Sequence, residues 1–220
     1  MAYQVGDETK SKILENARTL FYKNGFKSTS TNQIAEAAKV NQALIFYHFG
    51  NKSNLGLEVC NALTRDIRNQ IAIKIYRKHE PFDAVVSTAV EYKVFTRFRR
   101  ENENYRRFIK ELCECNILLL TENYLGMALY KAVRKNYGKQ LNEVDEKIAH
   151  YAITSIISGL IVTHNYGYID CSYDYLCNKE IEMMLEILKF DADEIGRITT
   201  LAQEIFDSIE IEMGKNFQVY

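Results

Sequence analysis

The residues with the clearest chemical potential lie between positions 30 and 49, in the stretch STNQIAEAAKVNQALIFYHF. Gln42 can form two hydrogen bonds with adenine, and the apolar Leu44 can contact a thymine methyl group. The hydroxyl of Tyr47 and the ring of His48 can instead bind phosphates, which position a protein without reading base sequence. This combination on one short segment suits the major groove of DNA better than a protein core.

Local capping signals place this stretch on two helices joined by a short turn. Ser30 and Gln33 form an S-x-x-Q capping box, which predicts that a helix begins there. Residues 39–41 form the turn, and Asn41 is a good N-cap for the next helix, over Gln42 to His48. The pattern is that of a helix-turn-helix motif, whose second helix enters the major groove.

Helices on both sides must hold this motif in place. Apolar residues recur at helical spacing over residues 9–24, and Gly25 follows where a left-handed residue often ends a helix. Asn51 caps a fourth helix, whose apolar stripe continues to about residue 75. Because that helix opens with Lys52, its N-terminus is a candidate phosphate site.

The composition favours an all-α chain that is not a polycation. The 220 residues are 47% hydrophobic and include a single Pro and only 10 Gly, which argues for long helices and against a multi-stranded β-fold. The formal net charge is -1, but residues 1–60 hold seven Lys/Arg against five Asp/Glu. Any basic surface for nucleic acid is therefore local.

The distribution of cysteine and histidine gives no support to a metal or redox site. Five Cys, no secretion signal and no apolar run of membrane length predict reduced thiols in the cytoplasm and no membrane partner. The four His show no zinc spacing, and no phosphate loop or nucleophile motif is found in the sequence. We therefore predict no cofactor, no metal and no enzymatic activity.

Residues 9–55 carry a more specific signal. They resemble the DNA-binding domain of the TetR family of bacterial transcriptional regulators, at the family's spacing throughout. The matching residues are Ile13, Leu14, Ala17, Phe21, Gly25, Phe26, Thr29, Ile34, Ala35, Ala38, Val40, Ile45, Phe46, Tyr47, His48, Phe49, Lys52 and Leu55.

The resemblance implies a homodimer on palindromic double-stranded operator DNA. It implies a three-helix helix-turn-helix domain over residues 7–67 (motif 30–49), then a larger helical effector-binding and dimerisation domain over residues 68–220. By position, the implied base contacts are Asn32, Gln42, Ala43 and Leu44. The rest of the implied DNA-binding set is Thr29, Ser30, Asn41, Phe46, Tyr47, His48 and Lys52.

Three departures from the family pattern matter. Lys39 occupies a turn position that is often Gly, so a strained turn is expected. Gln42 and Ala43 stand where many members have Lys and Gly, which affects the operator sequence. Phe46 replaces a frequent Tyr, so a hydroxyl contact to phosphate is missing there. Phe46 and His48 could alternatively serve mainly in packing.

The resemblance also implies an effector pocket and a dimer interface in the C-terminal body. The plausible pocket residues are Tyr92, Phe95, Cys113, Tyr124, Met127 and His164. The dimer is expected on the helices over residues 145–164 and 173–190, at Ile156, Gly159, Leu160, Met184 and Leu188. The alternative for each residue is an ordinary place in the core of one chain.

The leading hypothesis is a ligand-responsive transcriptional regulator, in which an unknown small molecule changes the separation of the two recognition helices and so releases a repressor from DNA. The alternatives are an architectural DNA-binding or protein-binding dimer that needs no ligand, and an enzyme with a helical body, for which the sequence offers no motif.

Overall fold

Ten α-helices build the part of the chain that the computed structural model describes, residues 2–76, 83–120 and 127–220. They are α1 (Ala2–Asn24), α2 (Thr31–Ala38), α3 (Gln42–Phe49), α4 (Lys52–Tyr76), α5 (Ala84–Glu101), α6 (Glu103–Glu114), α7 (Met127–Tyr137), α8 (Glu143–Asn165), α9 (Tyr173–Ile187) and α10 (Ala192–Ser208). Short 3₁₀ helices cover Ile117–Leu120 and Lys215–Phe217. The all-α prediction is confirmed.

The helices of the N-terminal unit form where the sequence signals place them, with one difference. α1 begins at Ala2 rather than near residue 9, and it ends at Asn24 as predicted. Its end is followed by Gly25 with a φ of +84°. The predicted domain boundary between residues 67 and 68 falls inside α4, so the two units share an unbroken helix, and the division stays a prediction.

The body is a layer of helices packed around α5. α5 lies against α6, α7, α9 and α10, and its buried face includes Val86, Val90, Val94 and Phe98. The predicted helices over residues 145–164 and 173–190 correspond to α8 and α9. The sequence also predicts a helix over about residues 121–136, and only its part from Met127 onward lies within the described residues. None of the helices in the described ranges is both long and apolar enough to cross a bilayer.

The C-terminal segment departs most from the sequence prediction. The apolar periodicity of the sequence predicts a last helix over about residues 193–213, but α10 ends at Ser208. The chain then folds back as a small hairpin, with an antiparallel bridge between Met213 and Val219. The fully buried ring of Phe217 lies 5.1 Å from both the Tyr22 ring and the Phe108 ring. The tail therefore fills the junction between α1 and α6.

The buried position of Phe217 predicts a large stability effect. Phe217→Ala should lower the free energy of unfolding by about 3–5 kcal/mol, because it leaves a cavity between α1 and α6. Chemical denaturation measures the change. Tyr168→Ala is the matched control, since Tyr168 is 81% exposed. Equal effects of the two substitutions would show that the hairpin does not hold the junction together.

Candidate nucleic-acid interface and effector cavity

The start of α2 is fixed by the predicted capping box. The Gln33 backbone N–H donates to Ser30 Oγ at 3.2 Å, and the Ser30 N–H donates to Gln33 Oε1 at 2.8 Å. These bonds satisfy donors that a helix start leaves unpaired. The capping prediction is confirmed, and Ser30 remains exposed beside the helix end.

The turn between α2 and α3 has the expected strain at its first residue. Lys39 ends α2 in the left-handed region, with φ 53° and ψ 46°. A residue with a side chain pays about 1 kcal/mol for that conformation, which glycine avoids. Asn41 then caps α3, because its Oδ1 accepts a hydrogen bond of 2.8 Å from the Ala43 N–H. The N-cap prediction for Asn41 is confirmed.

Some residues of the recognition helix α3 are buried in the core, and others face solvent. Ile45 and Phe49 are buried and anchor the helix. Phe46 is 48% exposed and Tyr47 is 81% exposed. Phe46 is therefore not a core residue, and its contact with DNA stays a prediction. His48 is half-buried and touches the Tyr47 and Phe49 rings, so it combines packing with partial exposure.

The predicted base-contacting residues lie at or near this exposed face, and one of them has a partner that the sequence did not reveal. Asn32 and Ala43 are exposed, and Leu44 is half-buried. The Gln42 Nε2 group donates to Thr31 Oγ1 at 2.7 Å. Thr31, the first residue of α2, thus fixes the orientation of the Gln42 amide. A hydroxyl eleven residues before Gln42 in the chain gives no periodic signal, so this link required the structure.

Thr29 corrects the predicted phosphate set. Its side chain is 1% exposed, and its hydroxyl donates to the Gly25 carbonyl at 2.7 Å. The hydroxyl therefore closes the end of α1 and does not face solvent. The prediction of a phosphate contact from the Thr29 side chain is wrong.

Lys52, the first residue of α4, contacts the loop between α1 and α2. Its Nζ donates to the carbonyls of Phe26 (3.1 Å) and Thr29 (3.0 Å), and it lies 4.4 Å from the centroid of the Phe26 ring. The ammonium group therefore ties the first turn of α4 to the loop that precedes α2. Its contact with a phosphate stays a prediction, in competition with these intramolecular bonds.

A contact between α1 and α6 joins the DNA-binding unit to the body. Arg107 donates to the carbonyls of Tyr22 (3.0 Å) and Lys23 (2.8 Å) in the last turn of α1. The Lys27 backbone N–H donates to Glu111 Oε2 at 2.8 Å. A Cβ atom at Gly25 would come within 2.8 Å of the Glu111 carboxylate, so close approach as well as the positive φ requires glycine there.

A cavity of about 270 Å³ lies in the body. Its walls come from α4 to α9, with Leu118 of the 3₁₀ turn. The lining residues are Leu57, Cys60, Asn61, Thr64, Arg68, Thr88, Glu91, Tyr92, Phe95, Arg99, Tyr105, Ile109, Leu118, Leu129, Tyr130, His150, Ile153, Thr154, Ile157, Ser158, Ile161, Glu180 and Met184. Such an apolar space with a few polar groups is typical of a small-molecule site.

Of the predicted pocket residues, the structure brings Tyr92 and Phe95 to this cavity. Cys113 is buried outside the lining, where its thiol bonds to Ser158. His164 is also outside it, because its ring nitrogen pairs with the Cys171 carbonyl at 2.9 Å. The placement of Cys113 and His164 in the pocket is therefore wrong. Tyr124 and the Met127 side chain lie outside the described residues.

Burial controls the ionisation of the groups in the wall. It raises the pKa of the Cys60 thiol to about 12, so this cysteine stays protonated and unreactive. It also raises the pKa of Glu91, against the opposing charge of Arg68. Burial lowers the pKa of His150, which keeps that ring neutral near pH 7.

The predicted dimer residues separate into two groups. Met184 and Leu188 are buried within the protomer, and Met184 lines the cavity, so their assignment to an interface is wrong. The apolar stripe of α9 faces α5 and α8 instead of a partner. On α8, Ile156 and Gly159 are exposed and Leu160 is half-buried. The same helix exposes further large apolar residues that the prediction omitted, namely Val144, Ile148 and Tyr151.

Comparison with known proteins agrees with this geometry. Residues 13–59 match the family model described as bacterial regulatory proteins, tetR family, and these are the residues that form the helix-turn-helix unit and the start of α4. Residues 13–59 therefore form a DNA-binding unit of the TetR type. This regulator binds DNA through its helix-turn-helix motif, and its relatives are transcriptional regulators and not enzymes.

Two relatives and one solved structure illustrate the extent of the similarity. The transcriptional regulator TtgR of Pseudomonas putida is 29% identical over 168 residues, which span 70% of this chain and 79% of TtgR. IcaR of Staphylococcus aureus, a negative transcriptional regulator of the biofilm operon icaADBC, is 26% identical over 83 residues, 38% of this chain and 45% of IcaR. The crystal structure of RolR with resorcinol aligns at a TM-score of 0.60 and 14% identity, over 90% of this chain and 96% of RolR, and supports the fold.

The hydrogen bonds of Lys52 predict that this residue stabilises the DNA-binding unit. Lys52→Met should lower the free energy of unfolding by about 1–2 kcal/mol, because the Phe26 and Thr29 carbonyls in the loop after α1 lose a charged donor. Thermal denaturation in the absence of DNA measures this, with the exposed Lys12→Met as control. Unchanged stability together with a shallower salt dependence of DNA binding would instead assign Lys52 to phosphate contact.

Proposed function

We propose that this regulator is a ligand-responsive repressor that binds palindromic operator DNA as a homodimer. The observation that carries the proposal is the combination, in one chain, of an exposed recognition helix and a largely apolar cavity, with α4 and α6 extending between them. Repression agrees with the negative regulation by IcaR, and a small-molecule effector agrees with the resorcinol complex of RolR.

Residues 7–67 would form the DNA-binding domain and residues 68–220 the effector and dimerisation domain. In the DNA complex, Gln42 would read an adenine through its amide while Thr31 holds the second amide hydrogen. Asn32, Ala43 and Leu44 would lie against neighbouring bases. Ser30, Asn41, Phe46, Tyr47 and His48 would follow the phosphate backbone.

The exposed side of α8 is the surface for a second copy. Val144 and Ile148 are each 63% exposed, and with Tyr151 and Ile156 they form an apolar strip along one helix. A Cβ atom built at Gly159 meets nothing within 4 Å among the described residues, so another helix can approach closely there. Met183 adds an exposed apolar group on the adjacent α9. Two such strips would form a four-helix interface.

Effector binding would act through helices that touch both the cavity and the DNA-binding unit. Tyr105 and Ile109 of α6 line the cavity, while Arg107 and Glu111 of the same helix hold the end of α1. A ligand that favours another position of α6 would therefore shift the two recognition helices away from the spacing of one DNA turn, roughly 34–36 Å. The loss of DNA-binding free energy can be no larger than the difference in ligand-binding free energy between the two states. A ligand-independent architectural dimer would have no use for the cavity.

Selection of bound DNA from a random pool tests base reading. The native protein should select a palindrome, and Gln42→Ala should lose preference at one position in each half-site, with a cost of about 1–3 kcal/mol on the native sequence. Thr31→Val should relax the same position, because it removes the hydroxyl that orients Gln42. Thr31→Ser, which keeps the hydroxyl, is the control. Equal weakening on all sequences would remove Gln42 from base recognition.

The dimer surface is tested by a charge on α8. Ile148→Glu should shift the protein from dimer to monomer in sedimentation experiments, because the carboxylate would be buried against the partner's apolar strip. The monomer should retain its helical circular dichroism but lose DNA binding. Leu201→Glu, at an exposed apolar position on α10, should remain dimeric. A dimeric Ile148→Glu protein would place the interface elsewhere.

A further inference from the structure

The charged groups in the cavity wall neutralise one another. Among the described lining residues there are two arginines and two carboxylates. Arg68 Nε donates to Glu91 Oε2 at 2.8 Å. Arg99 forms a bidentate pair with Glu180, with distances of 3.0 Å and 2.7 Å, and both partners are almost fully buried. Each positive charge is therefore already matched by a negative one.

This pairing selects against a charged effector. A carboxylate or ammonium group that enters the cavity loses its hydration and finds no unmatched opposite charge on the described walls. To gain one, it would have to displace Glu91 from Arg68 or Glu180 from Arg99, which leaves a buried charge without its partner. A neutral molecule enters without either cost.

At least two donors among the described lining residues are available to such a molecule. The Arg99 Nε group is buried and has no acceptor among the described residues. The Tyr92 side chain lines the cavity, and its hydroxyl has no hydrogen-bond partner within the described part of the chain. Burial and the nearby carboxylates of Glu180 and Glu91 raise the pKa of Tyr92, so its hydroxyl stays protonated. Buried donors of this kind normally have a partner.

The size and surface of the cavity limit the rest of the molecule. At about 270 Å³ the cavity lies just below the usual range for drug-sized ligands, roughly 300–1,000 Å³. Phe95, Ile109, Ile153 and Met184 give it aromatic and aliphatic walls. The small volume and the aromatic and aliphatic walls favour a compact ring system.

We propose that the effector is a compact, uncharged, one- or two-ring aromatic compound that carries an oxygen acceptor, which the Tyr92 hydroxyl binds. This rests on the proposed function, because it assigns a ligand class to the cavity of a ligand-responsive repressor. The two ion pairs disfavour charged ligands, and the Tyr92 hydroxyl orients the bound molecule.

Four probes with one skeleton test the proposal by calorimetry on the full-length protein near neutral pH: naphthalene, 2-naphthol, 2-naphthoate and 2-naphthylmethylammonium. 2-Naphthol should bind about tenfold or more tighter than either charged probe. Tyr92→Phe should weaken 2-naphthol by about tenfold and leave naphthalene unchanged, since only the hydroxyl is lost. Equal or tighter binding of a charged probe, or failure of every probe to bind, overturns the proposal.

A charge variant tests whether the ion pairs select against charged ligands. Glu91→Gln leaves Arg68 without its carboxylate, so 2-naphthoate should gain about tenfold in affinity while 2-naphthol changes little. No gain for 2-naphthoate in a folded Glu91→Gln protein would show that the ion pairs do not select ligand charge. If this variant does not fold, the four-probe comparison and Tyr92→Phe still decide the question.

DNA-binding assays separate this proposal from the one it rests on. Binding of 2-naphthol without release of selected DNA would retain the ligand class and reject ligand-responsive regulation. Failure of the ligand-free protein to select any DNA would reject the proposed function, whatever the calorimetry shows. Selective DNA binding with no preference for the neutral probe would reject the ligand class alone.

Discussion

The unbroken α4 helix is the constraint on which the rest of the molecule depends. Its 25 residues span about 37 Å, so one rigid rod runs from the loop beside the recognition unit to the far side of the cavity. Its first residue, Lys52, holds the carbonyls around the end of α1. Further along, Leu63, Ile67 and Ile71 are almost completely buried. Because α4 is held at both ends, the DNA-binding unit and the C-terminal body cannot move independently of each other.

α6 supplies the second connection, and its chemistry differs from that of α4. Beyond its first turn, α4 is held mainly by apolar burial, which is non-directional. α6 adds directional bonds from Arg107 to the end of α1 and from Glu111 to the loop that follows it. Directional bonds are sensitive to displacements that an apolar contact tolerates. A small change in α6 at the cavity therefore has a larger consequence at the end of α1 than an equal change in α4.

Sequence reasoning succeeded where the determining interactions are local. The capping box of Ser30 and Gln33 and the N-cap at Asn41 involve neighbours within three residues, and both are present. It failed for residues whose contacts depend on packing between elements that are distant in the sequence. Thr29 has the same polarity whether its hydroxyl faces a phosphate or the Gly25 carbonyl, and Met184 has the same apolarity whether it meets a partner or a cavity. Periodicity identifies which residues share a helix face, but the neighbouring element decides what that face contacts.

The hairpin that ends in Phe217 has a consequence for the order of events during synthesis. Segments of a chain fold as they emerge, from the N-terminus onward. The recognition unit can therefore form early, but the gap between Tyr22 and Phe108 stays open until residue 217 has left the ribosome. Arg18 can form two of its hydrogen bonds only after this segment is made, because it donates to the carbonyls of Asn216 and Phe217. A nascent regulator thus exposes its DNA-facing residues before the packing between α1 and α6 is complete.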